Sequence, residues 1–185
     1  MMPVQVESAV DLSVFREFLG QADYSEQAVC KRLGLRGLHE YLSRDEKSDS
    51  RPLPEVSDAL DVLVQLFLAG NSVSREELGN FIPSAVRRAM EAMGILCLDS
   101  EQYYSPVALY PIQDLYIAPD RWKSRDDSPK SKAYVFPAIH PLTHDFLNLL
   151  PQSPCDKFLD LCSGTADIAL QASKRYTFRT APHHA

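Results

Sequence analysis

The sequence predicts an α+β chain: a helical N-terminal region, a module of three helices and a β-hairpin, and one strand–turn–helix unit near the C-terminus. Three observations carry this. Apolar residues recur at helical spacing from about residue 8 to Met93, punctuated by capping signals. From Ile95 onward short β-rich runs replace that period. In "FLDLCSGTADIALQAS", an apolar run with one acid leads into a turn of small residues and then an amphipathic stretch.

The elements follow in order. "DLSVFREFLG" places Leu12, Phe15, Phe18 and Leu19 on one helix face, with Gly20 as its stop. In the next helix Ser25 is the cap, Val29 and Leu33 the inner face and Gly34 the terminator. "SRDEKSDSRPLPE" is a polar linker with two prolines. In the helix that follows, Asp58, Asp61 and Gln65 share one stripe, and Leu60, Leu63, Val64, Phe67 and Leu68 cover the rest, so it is mostly buried. Gly70 and Asn71 end it. "SREELGNFI" opens with a capping box between Ser74 and Glu77, and its inner face is Leu78, Phe81 and Ile82. Pro83 suits the first turn of a third helix, which points Val86, Ala89, Met90 and Met93 inward and closes at Gly94. "ILCLD", "YYSPVALYPI" and "DLYIA" are β-rich, and "DSEQ" marks a hairpin turn. Three short helices followed by a hairpin is the order of a winged helix, and the plain alternative is a small helical core with a β flap.

Composition narrows the functions. The net charge of −6 argues against a dedicated nucleic-acid binder, which needs a basic excess to neutralise phosphates. The third helix offers a groove only Arg87 and Arg88, with Glu91 beside them. Cys30, Cys97, Cys155 and Cys162 match no zinc pattern, and reduced thiols in the cytoplasm are the simplest expectation. No apolar stretch approaches the roughly 18 residues of a membrane span. His140 and His144 stand four apart beside Asp145, a metal-ligand spacing on a helix, but Pro141 lies between them and no third ligand is evident. Exposed or helix-start histidines are the simpler reading. Tyr103, Tyr104, Tyr110, Tyr116 and Trp122 form an aromatic-rich group, read as core and flap packing or as a substrate-contact surface.

The C-terminal stretch carries the chemistry. A strand, a tight small-residue turn and a helix make the first βα unit of a nucleotide-binding sheet, where the helix N-terminus presents free N–H groups to a ligand. The Rossmann dehydrogenase pattern G-x-G-x-x-G and the P-loop pattern are both absent. "FLDLCSGT" resembles motif I of class I S-adenosylmethionine-dependent methyltransferases, roughly D-x-G-x-G-x-G after an apolar strand. Asp160 holds the acid place, Cys162 replaces the first glycine, Gly164 is the second, and Ala166 replaces the third. Upstream, "YVFPAIHPLTHDFLNLL" resembles the segment before motif I in the release-factor (N5)-glutamine methyltransferase group, with Pro141 and Thr143 in the P-x-T element.

The resemblance implies S-adenosyl-L-methionine as cofactor, with Asp160, Cys162, Ser163, Gly164, Thr165 and Thr143 at its site. It implies transfer of a methyl group from sulfonium to a nucleophilic atom, the protein chiefly orienting the two. Cys162 then lines the cofactor loop rather than acting as a nucleophile. Twenty residues follow Thr165. They contain neither the acid that ends the family's second strand nor an N-P-P-Y element. The expectation is therefore an incomplete, truncated Rossmann-like catalytic domain with little or no methyl transfer alone.

The predicted division is residues 1–52 as an N-terminal helical segment, 53–122 as the winged-helix-like module, 123–133 as a linker and 134–185 as the start of the methyltransferase domain. The leading functional expectation is a methyltransferase acting on a protein or other macromolecule. The alternative is a stand-alone winged-helix module contacting protein or nucleic acid.

Overall fold

A computed structural model describes residues 8–43, 53, 55–112, 115–119, 121 and 149. It is a mixed α+β structure of short helices and two small antiparallel sheets.

Helix α1 (Ala9–Gln21) begins at Ser8, whose hydroxyl accepts the Asp11 N–H at 3.2 Å. It buries Phe15, Phe18 and Leu19, but Leu12 is 44% exposed, contrary to the sequence pattern. Val10 is exposed as well. The helix also runs through Gly20. It stops where Asp23 turns the chain at φ 50, a conformation a short polar side chain tolerates.

Helix α2 (Glu26–Leu33) is capped as the sequence predicts. Ser25 Oγ accepts the Ala28 N–H at 3.2 Å, and Gly34 takes the left-handed conformation at φ 65. A one-turn helix α3 (His39–Ser43) follows.

Helix α4 (Ala59–Leu63) continues into a π-helical turn over Val64–Ala69. The sequence pattern predicts a uniform helix, whereas the i→i+5 turn sets its two halves out of phase. Leu60 to Val64 and Leu66 to Leu68 are all buried, so the helix is covered all round before and after the π turn, and Gly70 ends it at φ 77.

Strand β1 (Val73–Ser74) leads directly into α5 (Arg75–Phe81). The capping box forms: Ser74 Oγ accepts the Glu77 N–H at 3.1 Å, and Glu77 accepts the Ser74 N–H at 3.1 Å. Pro83 precedes α6 (Ser84–Ala92), which buries Val86, Ala89 and Met90 on one side. Met93 is buried just beyond it, and Gly94 closes the helix at φ 71.

Strands β2 (Cys97–Asp99) and β3 (Gln102–Tyr104) form the hairpin. Their two-residue turn has Ser100 at φ 47 and Glu101 at φ 69, the signs a type I′ turn demands. Strand β1 pairs on the other side of β3, giving the order β1-β3-β2. Val73, Tyr103 and Leu98 therefore share one row across the sheet. Val73 and Tyr103 are buried, while Leu98 on edge strand β2 is 45% exposed. A second hairpin joins β4 (Tyr110–Ile112) to β5 (Leu115–Ile117).

One apolar cluster runs from Phe15 and Leu19 through Phe67, Leu78 and Met90 to Tyr110 and Ile117. The described residues on either side of the 52–53 boundary thus share a core. Helix α1 packs chiefly on α6. Among the described residues, no helix is long and apolar enough to cross a membrane.

Candidate functional site

The residues that the resemblance assigns to a cofactor, Asp160, Cys162, Ser163, Gly164, Thr165 and Thr143, lie outside the described residues, as do His140, His144, Asp145 and Trp122. No described residue contributes to that loop. The described residues supply a candidate contact face and the framework that holds it.

The contact face is the outer side of α6 with the β2–β3 hairpin. Ser84, Ala85, Arg88, Glu91 and Ala92 are exposed on α6, as are Asp99, Ser100 and Glu101 at the hairpin tip. Arg87 is partly tied down, with Nε 3.8 Å from Glu91 Oε1. Glu91 also accepts a hydrogen bond from the Tyr103 hydroxyl at 3.1 Å. At the tip, Glu101 meets Arg75 at 3.4 Å. Arg88 is left as the α6 cation with no ion pair among the described residues, while Glu91 on α6 and Asp99 and Glu101 on the hairpin are exposed acids. Acids at those places repel a phosphate backbone, so the face is poorly suited to duplex nucleic acid and better suited to protein.

Two arginines hold opposite ends of α4 to the rest of the fold. At its start, Asp58 is the helix cap and accepts the Asp61 N–H at 2.9 Å. Arg32 of α2 donates to Asp58 Oδ2 at 2.7 Å and to Asp61 Oδ1. Asp61 is only 1% exposed, and its other oxygen accepts the Ser57 N–H at 3.0 Å and hydroxyl at 2.6 Å. The hydrogen bond from Arg32 holds the Asp58 carboxyl below its usual range, and the same bond raises the Arg32 guanidinium.

At the far end of α4, Arg121 Nε donates to the Ser105 carbonyl at 2.9 Å, and its Nη2 donates to the Leu66 carbonyl. Gly70 is required for its positive φ, and a Cβ built there would lie 2.7 Å from Arg121 Nη1 and shift that guanidinium. Burial lowers the Arg121 pKa, opposed by the nearby phenols of Tyr110, Tyr24 and Tyr41. The sequence showed the Asp58–Asp61 stripe but not its partner Arg32, and gave no sign of Arg121. Both contacts join residues far apart in the chain, and no local period encodes them.

Of the aromatic group, Tyr103, Tyr110 and Tyr116 resolve as packing, Tyr104 is half-buried and Trp122 lies outside the described residues. Tyr103 and Tyr110 are buried, and Tyr116 stacks on Tyr24 with centroids 6.4 Å apart and planes 17° apart. Tyr24, which the sequence pattern did not single out, is fully buried and donates its hydroxyl to the Leu109 carbonyl at 2.8 Å. Desolvation pushes its pKa well above the ordinary phenol value.

A shallow hollow of about 410 Å³ is lined by Glu26, Gln27, Cys30, Lys31, Leu35 and Arg36. Burial, with Glu26 and Glu40 nearby, pushes the Cys30 thiol up to about 11. A thiol held protonated at neutral pH makes a poor nucleophile. Cys30 and Cys97 are both free, and among the described residues no set of three His, Cys, Asp or Glu side chains is arranged to hold a metal ion. No protein-family model matches the chain, and no curated protein matches it.

Proposed function

We propose that residues 53–122 are a winged-helix-type contact module serving an S-adenosylmethionine-dependent methyltransferase, and that the module engages a protein substrate through α6 and the β2–β3 hairpin. One observation carries the reading. The element order helix–strand–helix–helix–strand–strand, with sheet order β1-β3-β2, stands directly upstream of the segments "YVFPAIHPLTHDFLNLL" and "FLDLCSGT". A module that grips a macromolecule, followed by a loop suited to a sulfonium nucleoside, is an arrangement for methylating what the module holds. The charge on the α6 and hairpin face supports protein over duplex nucleic acid.

Saturation-transfer NMR on the full chain with S-adenosylmethionine tests the cofactor half. The expected result is transfer to the adenosine protons that Gly164→Val abolishes while the upfield methyl signals of the core stay in place. Absence of transfer, or transfer indifferent to Gly164→Val, overturns it.

A second reading is a contact module without catalysis, supported by the described residues themselves, which hold one apolar core from Phe15 to Ile117. A gel-shift titration with duplex DNA separates its two forms. Binding that weakens steeply with salt means nucleic acid, and no shift at low salt supports a protein partner.

A further inference from the structure

We propose that the outer edge of β2 is a strand-addition site: an extended segment of a protein substrate pairs antiparallel with it, an apolar residue opposite Leu98 and a lysine or arginine opposite Asp99. This rests on the reading of α6 and the β2–β3 hairpin as a protein-contact face, and it names the form of chain that face takes.

The ladder bonds decide which edge of the sheet is open. The Arg75 N–H donates to the Glu101 carbonyl at 3.2 Å. Ladder bonds on one side of a strand recur at every second residue, so Tyr103 turns its N–H and C=O toward Val73 of β1. Leu98 stands opposite Tyr103 on the other side, so its own N–H and C=O face away from β3. Among the described residues no backbone group meets them. The other edge is closed. There Ser74 is the outward residue of β1, Glu77 accepts its N–H at 3.1 Å, and the chain turns at once into α5.

Side chains set what the open edge accepts. Val73 and Tyr103 are buried, and Leu98, last in their row, is 45% exposed. An apolar residue opposite Leu98 lengthens that row and covers it. Asp99 lies on the other face of β2 and is exposed, so a cation opposite it gains a cross-strand charge pair. Two β2 edges paired about Leu98 would set Cys97 opposite Asp99 and leave the acid without a counter-charge. Charge therefore selects a basic segment over a second copy.

Amide exchange on the full chain tests this with a peptide of three Lys-Val repeats, blocked at both ends. At saturating peptide the Leu98 amide is expected to exchange about ten-fold more slowly, with Val29 and Met90 unchanged. Asp99→Asn is expected to weaken binding about three-fold, and a Glu-Val peptide is expected not to bind. Leu98→Pro removes the edge donor but no ladder bond, and is expected to abolish binding while Val29 and Met90 keep their protection. Should that variant not fold, the Lys-Val peptide N-methylated on its valines, which cannot donate to the Leu98 carbonyl, is expected not to bind the wild type. Binding that survives either change is charge attraction alone and overturns the proposal. So does a Leu98 amide already protected without peptide, whether by a second copy at high concentration or by this chain at every concentration. Peptide shifts confined to α6, with Leu98 unprotected, overturn strand addition and leave the contact face standing. No shift on either element overturns strand addition, and duplex DNA shifting the α6 amides instead overturns the protein-contact reading beneath it.

Discussion

Arg32 and Arg121 grip the same helix at opposite ends by different chemistry. Arg32 sits at the start of α4, where the exposed N–H groups make the end partially positive and a cation is unwelcome. Two carboxylates, Asp58 and Asp61, meet it there. Arg121 sits at the finish, where carbonyls face outward and the end is partially negative, and the Leu66 and Ser105 carbonyls hold it without a carboxylate. The helix dipole thus decides what each arginine requires. The first clamp holds Asp58, whose carboxyl Arg32 keeps below its usual range, and the second, among the described residues, contains no acid.

That contrast sets the expected effects. Asp61→Ala is the most damaging, at about 3 kcal/mol, because it strands part of the Arg32 charge and orphans the Ser57 N–H and hydroxyl. Chemical denaturation measures it, and a loss below 1 kcal/mol contradicts the role given to Asp61.

Gly70→Ala comes next, at about 2 kcal/mol, from a left-handed alanine and a methyl pressed on Arg121. In an Arg121→Ala background the steric part disappears and the penalty falls. Equal penalties in both backgrounds show that Gly70 answers only to its own φ.

The third effect is pH dependence. The Asp58 carboxyl is depressed by Arg32, so its contribution is complete above the unfolded pKa, roughly 4, and is lost as pH falls through the lower folded value. Urea midpoints of the wild type and Arg121→Met are expected to fall with acid below about pH 4. The Arg32→Met profile is expected to be flatter. Parallel profiles for all three defeat the distinction between the clamps.

The smallest effect serves as a control distant from both clamps. Glu101→Gly relieves a non-glycine residue at φ 69 but loses an exposed ion pair to Arg75, for a net gain of about 0.5 kcal/mol. A calorimetric Tm below that of the wild type would show that the turn is not strained.

Local chemistry was legible in the sequence. Ser25 and Gly34, the Ser74–Glu77 box, the inner face of α6 and the Asp99–Gln102 turn all stand where short-range rules put them, because a cap or a turn depends on residues a few positions apart. Features set over long separations were not legible. Strand β1 exists because Val73 pairs with Tyr103, thirty residues on. Leu12 has the right phase for burial yet stays 44% exposed, and Gly20 stops nothing because Asp23 does the turning. Of the candidate site, the two arginines of α6 were visible. The pairing of Glu101 with Arg75 and of Tyr103 with Glu91 was not visible, since both depend on how the β2–β3 hairpin packs. The predicted cofactor loop, Asp160 to Thr165, lies outside the described residues.

The π-helical turn in the second half of α4 has a lasting consequence. It extends a short rod that is already buried all around its circumference, with Gln65 and Ala69 the half-covered positions. Such a rod has no lenient side. Substitutions are therefore expected to cost least at exposed positions such as Val10 and Arg88, and most across Leu60 to Leu68.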